Sequence, residues 1–239
     1  MKTEENNLKV KIFADGADIA EITRLSADPV IKGFTTNPTL MRAAGITNYE
    51  TFAMEVLSTI PDLPVSLEVF ADDIDTMISQ GFLIGSWGPN VNVKIPVINT
   101  QGVFTGPAIA ELSKAGVHVN ITAVFTLEQV RAIYDCLDPL ATAYVSIFAG
   151  RIADSGIDPV PLVSEAVRMF KTHPMVEIIW ASPRELYNIF HADQSGCHII
   201  TVTQAILDKL SFIGRDQTQY SLETSKMFHD DALQAGYKI

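Results

Sequence analysis

Short apolar runs rich in Val, Ile and Phe recur along the chain at intervals of roughly twenty to thirty-five residues. Each is followed by a turn and then by apolar positions at helical spacing. Eight such runs are present: Val10–Asp15, Val30–Thr36, Val65–Phe70, Val91–Val97, Val117–Val124, Ala143–Phe148, Val176–Ala181 and His198–Val202. Most lack the polar alternation of a half-exposed antiparallel strand, so they predict parallel strands covered on both faces.

The intervening segments predict helices over Ala17–Leu25, Asn48–Thr59, Asp73–Gly81, Gly102–Ala115, Leu127–Cys136, Pro159–Lys171, Arg184–Ala192 and Thr203–Ser211. Asp158-Pro159 supplies an N-cap and a first-turn proline, and Gly116 stands where a left-handed C-cap residue belongs. Strand and helix alternating through eight repeats predict an α/β fold, a single (β/α)8 TIM barrel. The rival is a doubly wound open sheet, but its G-x-G-x-x-G turn is nowhere in the chain. A further amphipathic segment, Ser221–Gly236 within the closing stretch 221–239, exceeds what closure needs and suits a barrel end or a neighbouring subunit. Residues 1–8 read as a polar tail, and 1–239 as one domain.

Composition narrows the partners. Among the 239 residues, 47% are hydrophobic, enough for one large core, and no apolar stretch reaches the length of a membrane span. The start, MKTEENNLKV, is too polar for a signal peptide, so a cytoplasmic protein is expected. A net charge of −11 argues against nucleic acid and anionic membrane, both of which attract basic proteins. Cys136 and Cys197 sit in apolar settings as candidate buried thiols, and neither they nor His118, His173, His191, His198 and His229 show metal-ligand spacing. No metal and no cofactor are expected.

Barrel enzymes work at the C-terminal ends of their strands, and here nearly every strand carries a polar residue there. They are Asp15; Thr35, Thr36 and Asn37; Glu68; Lys94; Asn120 and Thr122; Ser146 and Arg151; Ser182 and Arg184. Lys94 stands in Val91-Asn92-Val93-Lys94-Ile95-Pro96-Val97, where desolvation disfavours a charged amine; a free amine is what imine formation needs. Its other reading is a strand-end lysine that snorkels or pairs with a carboxylate. Asp15 reads either as a general base facing Lys94 or as a helix cap, a role open to Asp18 as well. Glu68 in Ser66-Leu67-Glu68-Val69-Phe70 must be paired or catalytic, since a lone buried carboxylate is costly. Arg151 and Arg184 are candidate phosphate ligands or surface arginines.

Together these motifs resemble the transaldolase family, in order, from Asp15 to the closing helix. Gly33-Phe34-Thr35-Thr36-Asn37-Pro38 is similar to its Thr-Thr/Ser-Asn-Pro signature, and Val91–Pro96 to its Schiff-base lysine strand. Asn120-Ile121-Thr122, Phe148-Ala149-Gly150-Arg151 and Ala181-Ser182-Pro183-Arg184 extend the likeness to the compact subfamily of small transaldolases and fructose 6-phosphate aldolases. The resemblance implies Lys94 as imine-forming nucleophile, Asp15 as general acid/base, and Glu68 with Thr122 moving a proton through a water. It implies Thr35, Asn37, Asn120 and Ser146 as substrate contacts and Arg151, Ser182 and Arg184 as phosphate ligands. It also implies a homo-oligomer, pentamer or decamer, acting on sugar phosphates of the pentose phosphate pathway. Members that release free dihydroxyacetone carry Gln and Tyr where this chain has Glu68 and Phe148, whereas the transferases carry Glu and Phe. The resemblance therefore favours transfer, with a lyase as the alternative. Phe34, the long segment Ile98–Gly102 and Pro183 depart from the family pattern and bear on substrate preference.

Overall fold

A computed structural model describes residues 8–239, so the expected polar tail, save Leu8, lies outside the described residues. The eight predicted runs form β1 (Lys11–Asp15), β2 (Ile31–Thr35), β3 (Val65–Glu68), β4 (Val91–Pro96), β5 (Val119–Val124), β6 (Ala143–Ile147), β7 (Val176–Trp180) and β8 (Ile199–Val202). Each pairs in parallel with the next, and β8 pairs with β1 in register from Lys11↔Ile199 to Ala14↔Val202, closing the barrel.

Alternation along each strand sorts the side chains into two cores. Leu67, Val93, Ile95, Ile121, Val145 and Ile178 point outward and pack with helical residues such as Ala53, Met77, Ile109, Leu112 and Ile133. Phe13, Tyr144, Ile179, Ala181 and Ile199 fill the barrel itself. The Phe13 ring meets Tyr144 edge-on at 5.8 Å, and its burial is worth about 1.5–3 kcal/mol. A Cβ on Gly33 would lie 2.6–2.8 Å from that ring, so the glycine gives Phe13 its space. Below this plug Lys11 pairs with Glu177 at 2.7 Å. The interior above it is polar, and that is where the site lies.

The helices are α1 (Ile19–Ser26), α2 (Pro38–Ala43), α3 (Tyr49–Thr59), α4 (Ile74–Gly85), α5 (Gly106–Lys114), α6 (Leu127–Cys136), α7 (Ala149–Asp154), α8 (Val160–Met169), α9 (Asn188–Gln194), α10 (Gln204–Leu207) and α11 (Gln217–Gln234). Side-chain caps start several of them. Asp18, Asn48, Asp73 and Asp216 accept from the backbone N–H three residues on, and Thr126 with Gln129 completes a capping box. Asp158, expected as the N-cap of α8, stands one residue before it: Pro159 is the N-cap, with no side-chain cap bond, while Asp158 accepts from the Val160 N–H at 3.0 Å; Gly116 ends α5 with φ +80°.

Three helix starts differ from expectation by four residues for local reasons, and two helix ends differ by as much: α4 runs on to Gly85 and α10 stops at Leu207. α5 starts at Gly106 rather than Gly102, because the Asn99 carbonyl oxygen Oδ1 accepts from the Gln101 and Val103 N–H groups and ties Asn99–Val103 into a tight loop. α9 starts at Asn188 rather than Arg184, because Asn188 Oδ1 takes the Arg184 and Glu185 N–H groups. α11 starts four residues before Ser221, where Asp216 caps it. The six-residue helices α2 and α7 were not anticipated. No residue of α11 is buried, and Leu222, Met227, Phe228 and Leu233 are exposed on it.

Candidate active site

Polar side chains from seven of the eight strands and the loops after them meet in one cavity of about 410 Å³ at the C-terminal end of the barrel. Its lining includes Asp15, Thr35, Asn37, Glu68, Lys94, Thr122, Ser146, Phe148, Arg151, Ser182 and Thr201. The volume suits a small polar metabolite.

Lys94 is only 7% exposed and stands at the centre of the group. Its Nζ donates to the Thr36 carbonyl at 2.9 Å and lies 3.0 Å from Glu68 Oε2. Register explains the pair: Glu68 and Lys94 are direct partners on β3 and β4. Glu68 is thus a paired carboxylate. The Tyr49 hydroxyl donates to the Glu68 carbonyl at 3.0 Å and fixes the end of β3.

Asp15 does not cap α1; Asp18 does. The carboxylate instead accepts from the Thr35 hydroxyl at 2.8 Å. Desolvation pushes its pKa above the ordinary carboxylate range, an effect opposed by Lys94 and Thr35 and reinforced by Glu68. An elevated carboxyl beside a buried amine is suited to take and return a proton.

Two strained backbones shape the rim. β5 bulges between Ile121 and Val124, with Ala123 at φ +56°, and the neighbouring Thr122 hydroxyl lies in the lining with no hydrogen-bond partner among the described residues. Ser182 sits at φ +59° against α7, where a Cβ on Gly150 would fall 1.6 Å from the Ser182 carbonyl oxygen. Only glycine permits that approach, so the Phe148-Ala149-Gly150-Arg151 motif holds Ser182 at the mouth.

Two expected contacts stand elsewhere. Asn120 is fully buried beneath the cavity, its Nδ2 donating to Ser66 at 2.9 Å and its Oδ1 accepting from Ser146 at 2.7 Å, so it braces Ser146 instead of lining the cavity. Arg184 lies outside the lining, exposed, and is held by Asp154 through Nε at 2.9 and 3.0 Å and Nη2 at 2.5 Å. Arg151 does line the cavity, its guanidinium 5.3 Å from the Phe148 ring centre. Asn37 lines it too while its Oδ1 caps α2. Sequence reasoning missed Ser66 and Thr201. Both are hydroxyls inside otherwise apolar strands, and only the alternation that places them on the inner face could have marked them. Among the described residues, no group of three or more His, Cys, Asp or Glu is placed to hold a metal ion, and no helix is long and apolar enough to cross a membrane.

The chain is 36% identical over 200 residues to a protein of Dehalococcoides mccartyi named probable transaldolase, covering 83% of this chain and 88% of that one. It is 32% identical over 231 residues to a protein of the same name from a Thermoanaerobacter species, covering 96% and 100%. Among solved structures, dihydrodipicolinate synthase from Rhodopseudomonas palustris superposes with a TM-score of 0.57 at 13% identity, covering 95% and 80%. N-acetylneuraminate lyase from Mycoplasma synoviae gives 0.55 at 9%, covering 97% and 84%. At such identity these two likenesses are of fold alone. The sequence model of Transaldolase/Fructose-6-phosphate aldolase matches residues 12–237, and with these relatives it shows that the chain belongs to that enzyme family.

Proposed function

We propose that the chain is a transaldolase, transferring a dihydroxyacetone unit from a ketose phosphate to an aldose phosphate through a Schiff base on Lys94. The observation that carries this reading is the buried Lys94 amine 3.0 Å from Glu68 in a cavity that also holds Asp15. The Lys94 nitrogen attacks the C2 carbonyl of the donor, and the carbonyl oxygen leaves as water, its protons managed by Glu68 and the Thr122 hydroxyl. Asp15 then takes the C4 hydroxyl proton while the C3–C4 bond breaks and its electron pair enters the protonated imine, giving an enamine. The shortened aldose phosphate departs. In transfer, the enamine carbon attacks the acceptor aldehyde, Asp15 returns its proton, and water hydrolyses the imine to free Lys94.

Ser146, Thr35 and Asn37 line the cavity where the three-carbon fragment would sit, and Arg151 with Ser182 stands at the rim for the phosphate. Fructose 6-phosphate or sedoheptulose 7-phosphate would be the donor and an aldose phosphate such as erythrose 4-phosphate the acceptor. These are reactions of the pentose phosphate pathway, in keeping with a cytoplasmic enzyme whose charge of −11 suits small-molecule partners better than nucleic acid or membrane. Borohydride added with fructose 6-phosphate should fix a three-carbon fragment on Lys94. Recovery of the fragment on another lysine would overturn the assignment. Free dihydroxyacetone formed at full rate without an acceptor would mark a lyase instead.

The chain is further proposed to be one domain that assembles as a homo-oligomer, pentamer or decamer. The exposed Met227, Phe228 and Leu233 of α11 support this, since a helix with no buried residue leaves its apolar side chains in water. Light scattering should give an oligomer for the full chain and a smaller species for Phe228→Asp. A monomer at micromolar concentration would count against assembly.

A further inference from the structure

The strands that close the barrel place three oxygen-bearing side chains side by side. β8, β1 and β2 are consecutive neighbours in the sheet, and Thr201, Asp15 and Thr35 project from them into the cavity. The Thr35 hydroxyl donates to Asp15 Oδ1 at 2.8 Å and lies 2.5 Å from the Thr201 hydroxyl. Both threonines are buried, at 3% and 6% exposure.

A hydroxyl has one proton to give. An ionised Asp15 can only accept, so the proton of Thr35 goes to Asp15, and the 2.5 Å contact must be supplied by the proton of Thr201. The chain therefore runs in one direction, from Thr201 through Thr35 to the carboxylate. Each bond polarises the next, so the donor Thr201 strengthens the bond that Thr35 makes. It also fixes the Thr35 rotamer, which leaves Asp15 Oδ2 as the oxygen on which a substrate proton can be taken up.

We propose that Thr201 is a positioning residue for the reaction, holding the Thr35 hydroxyl in line with Asp15 so that the carboxylate stays ionised and presents its second oxygen to the substrate. The role rests on the reading of Asp15 as the proton-transferring group. The other charged groups facing Asp15 are Lys94 on β4, which favours its ionised form, and Glu68 on β3, which disfavours it. Neither is touched by a change at Thr201.

The test reads Asp15 directly. Carboxyl carbon-13 NMR of Asp-labelled protein, with the Asp15 signal assigned by its loss in Asp15→Asn, gives the titration midpoint without any need for turnover. Thr201→Val removes the donor at nearly constant volume, and Thr201→Ala serves as a second variant if valine perturbs folding. Both should move the midpoint up by about half a pH unit, the scale expected when a charge-assisted bond loses a cooperative partner. Thr201→Ser restores the hydroxyl and should restore the midpoint. An unchanged or lower midpoint in Thr201→Val and Thr201→Ala, or a serine variant that shifts as far as valine, would overturn the proposal. Borohydride trapping on Lys94 is scored separately, so failure of the Schiff-base reading is distinguishable from failure of this one.

Discussion

Lys94 Nζ lies 3.0 Å from Glu68 Oε2 at a paired position of β3 and β4, with Lys94 only 7% exposed. Each charge is tolerable in the barrel because the other is there. Lys94→Met should therefore do more than abolish imine trapping. It should also destabilise the fold by about 3 kcal/mol, because Glu68 is left without its cation. Adding Glu68→Gln should recover more than half of that loss, and urea unfolding of the single and double variants measures it. Equal stabilities of Lys94→Met and the double variant would show that the pair contributes little.

The two arginines expected to bind phosphate are unequally placed. Arg151 lines the cavity, whereas Arg184 is outside it and engaged by Asp154, which is held below the ordinary carboxylate range by that contact. Arg151→Ala should raise KM for a phosphorylated donor about tenfold, equivalent to ~1.4 kcal/mol. Arg184→Ala should raise it by less than about threefold, as for an exposed arginine already paired. Steady-state kinetics on both variants decides this, and the reverse order would mean that Arg184 leaves Asp154 when substrate binds.

Much of the architecture was legible because buried parallel strands carry continuous apolar runs; the observed strands fall inside the predicted ones, trimmed by a residue or two. The short helices were not. α2 begins within the Asn37-Pro38 signature, so Asn37 read as a substrate contact while also serving as a cap, and α7 is only six residues long. The cavity lining was legible where a charge interrupts an apolar strand, as at Lys94 and Glu68. It was illegible at Thr201, which among Ile199, Ile200 and Val202 reads as one more β-branched strand residue. Its partner Thr35 is 166 residues away in sequence, joined to it only by barrel closure. Asn120 stands outside the cavity lining for a related reason: its neighbours Ser66 and Ser146 lie on other strands and take up its side-chain hydrogen bonds.

His198 gives the fold a pH dependence away from the site. Its Nδ1 accepts from the Ile178 N–H at 2.9 Å, and burial, aided by Lys11 and opposed by Glu177, lowers its pKa from the ordinary 6.5. A depressed histidine contributes stability that is present above the unfolded value and lost as pH falls from 6.5 toward the folded value, because the unfolded chain takes up the proton first. Unfolding free energies measured above and below that pH should show this loss in the wild type. His198→Asn keeps an acceptor without the titration and should flatten the slope, leaving the part due to His173, which burial also lowers. An unaltered slope would remove His198 as a source.

In the proposed reaction, the partition between transfer and release turns on the fate of the enamine. Phe148 lines the cavity, its ring centre 5.6 Å from that of Phe125 and 5.3 Å from the Arg151 guanidinium, so a phenyl ring borders the space beside Lys94. A phenyl ring can neither deliver a proton nor hold a water, whereas a phenol can do both. Phe148→Tyr should therefore raise release of free dihydroxyacetone at the expense of transfer to an aldose phosphate. A tenfold change in that ratio needs only about 1.4 kcal/mol between two barriers, within reach of one new hydrogen bond. Glu68→Gln should push the same way, since an amide beside Lys94 cannot store the proton that a carboxylate can. The ratio of free to transferred product, at fixed donor and acceptor concentrations, is the measurement. If it stays constant in both single variants and the double variant while borohydride still traps Lys94, the choice between transferase and lyase is made elsewhere in the cavity.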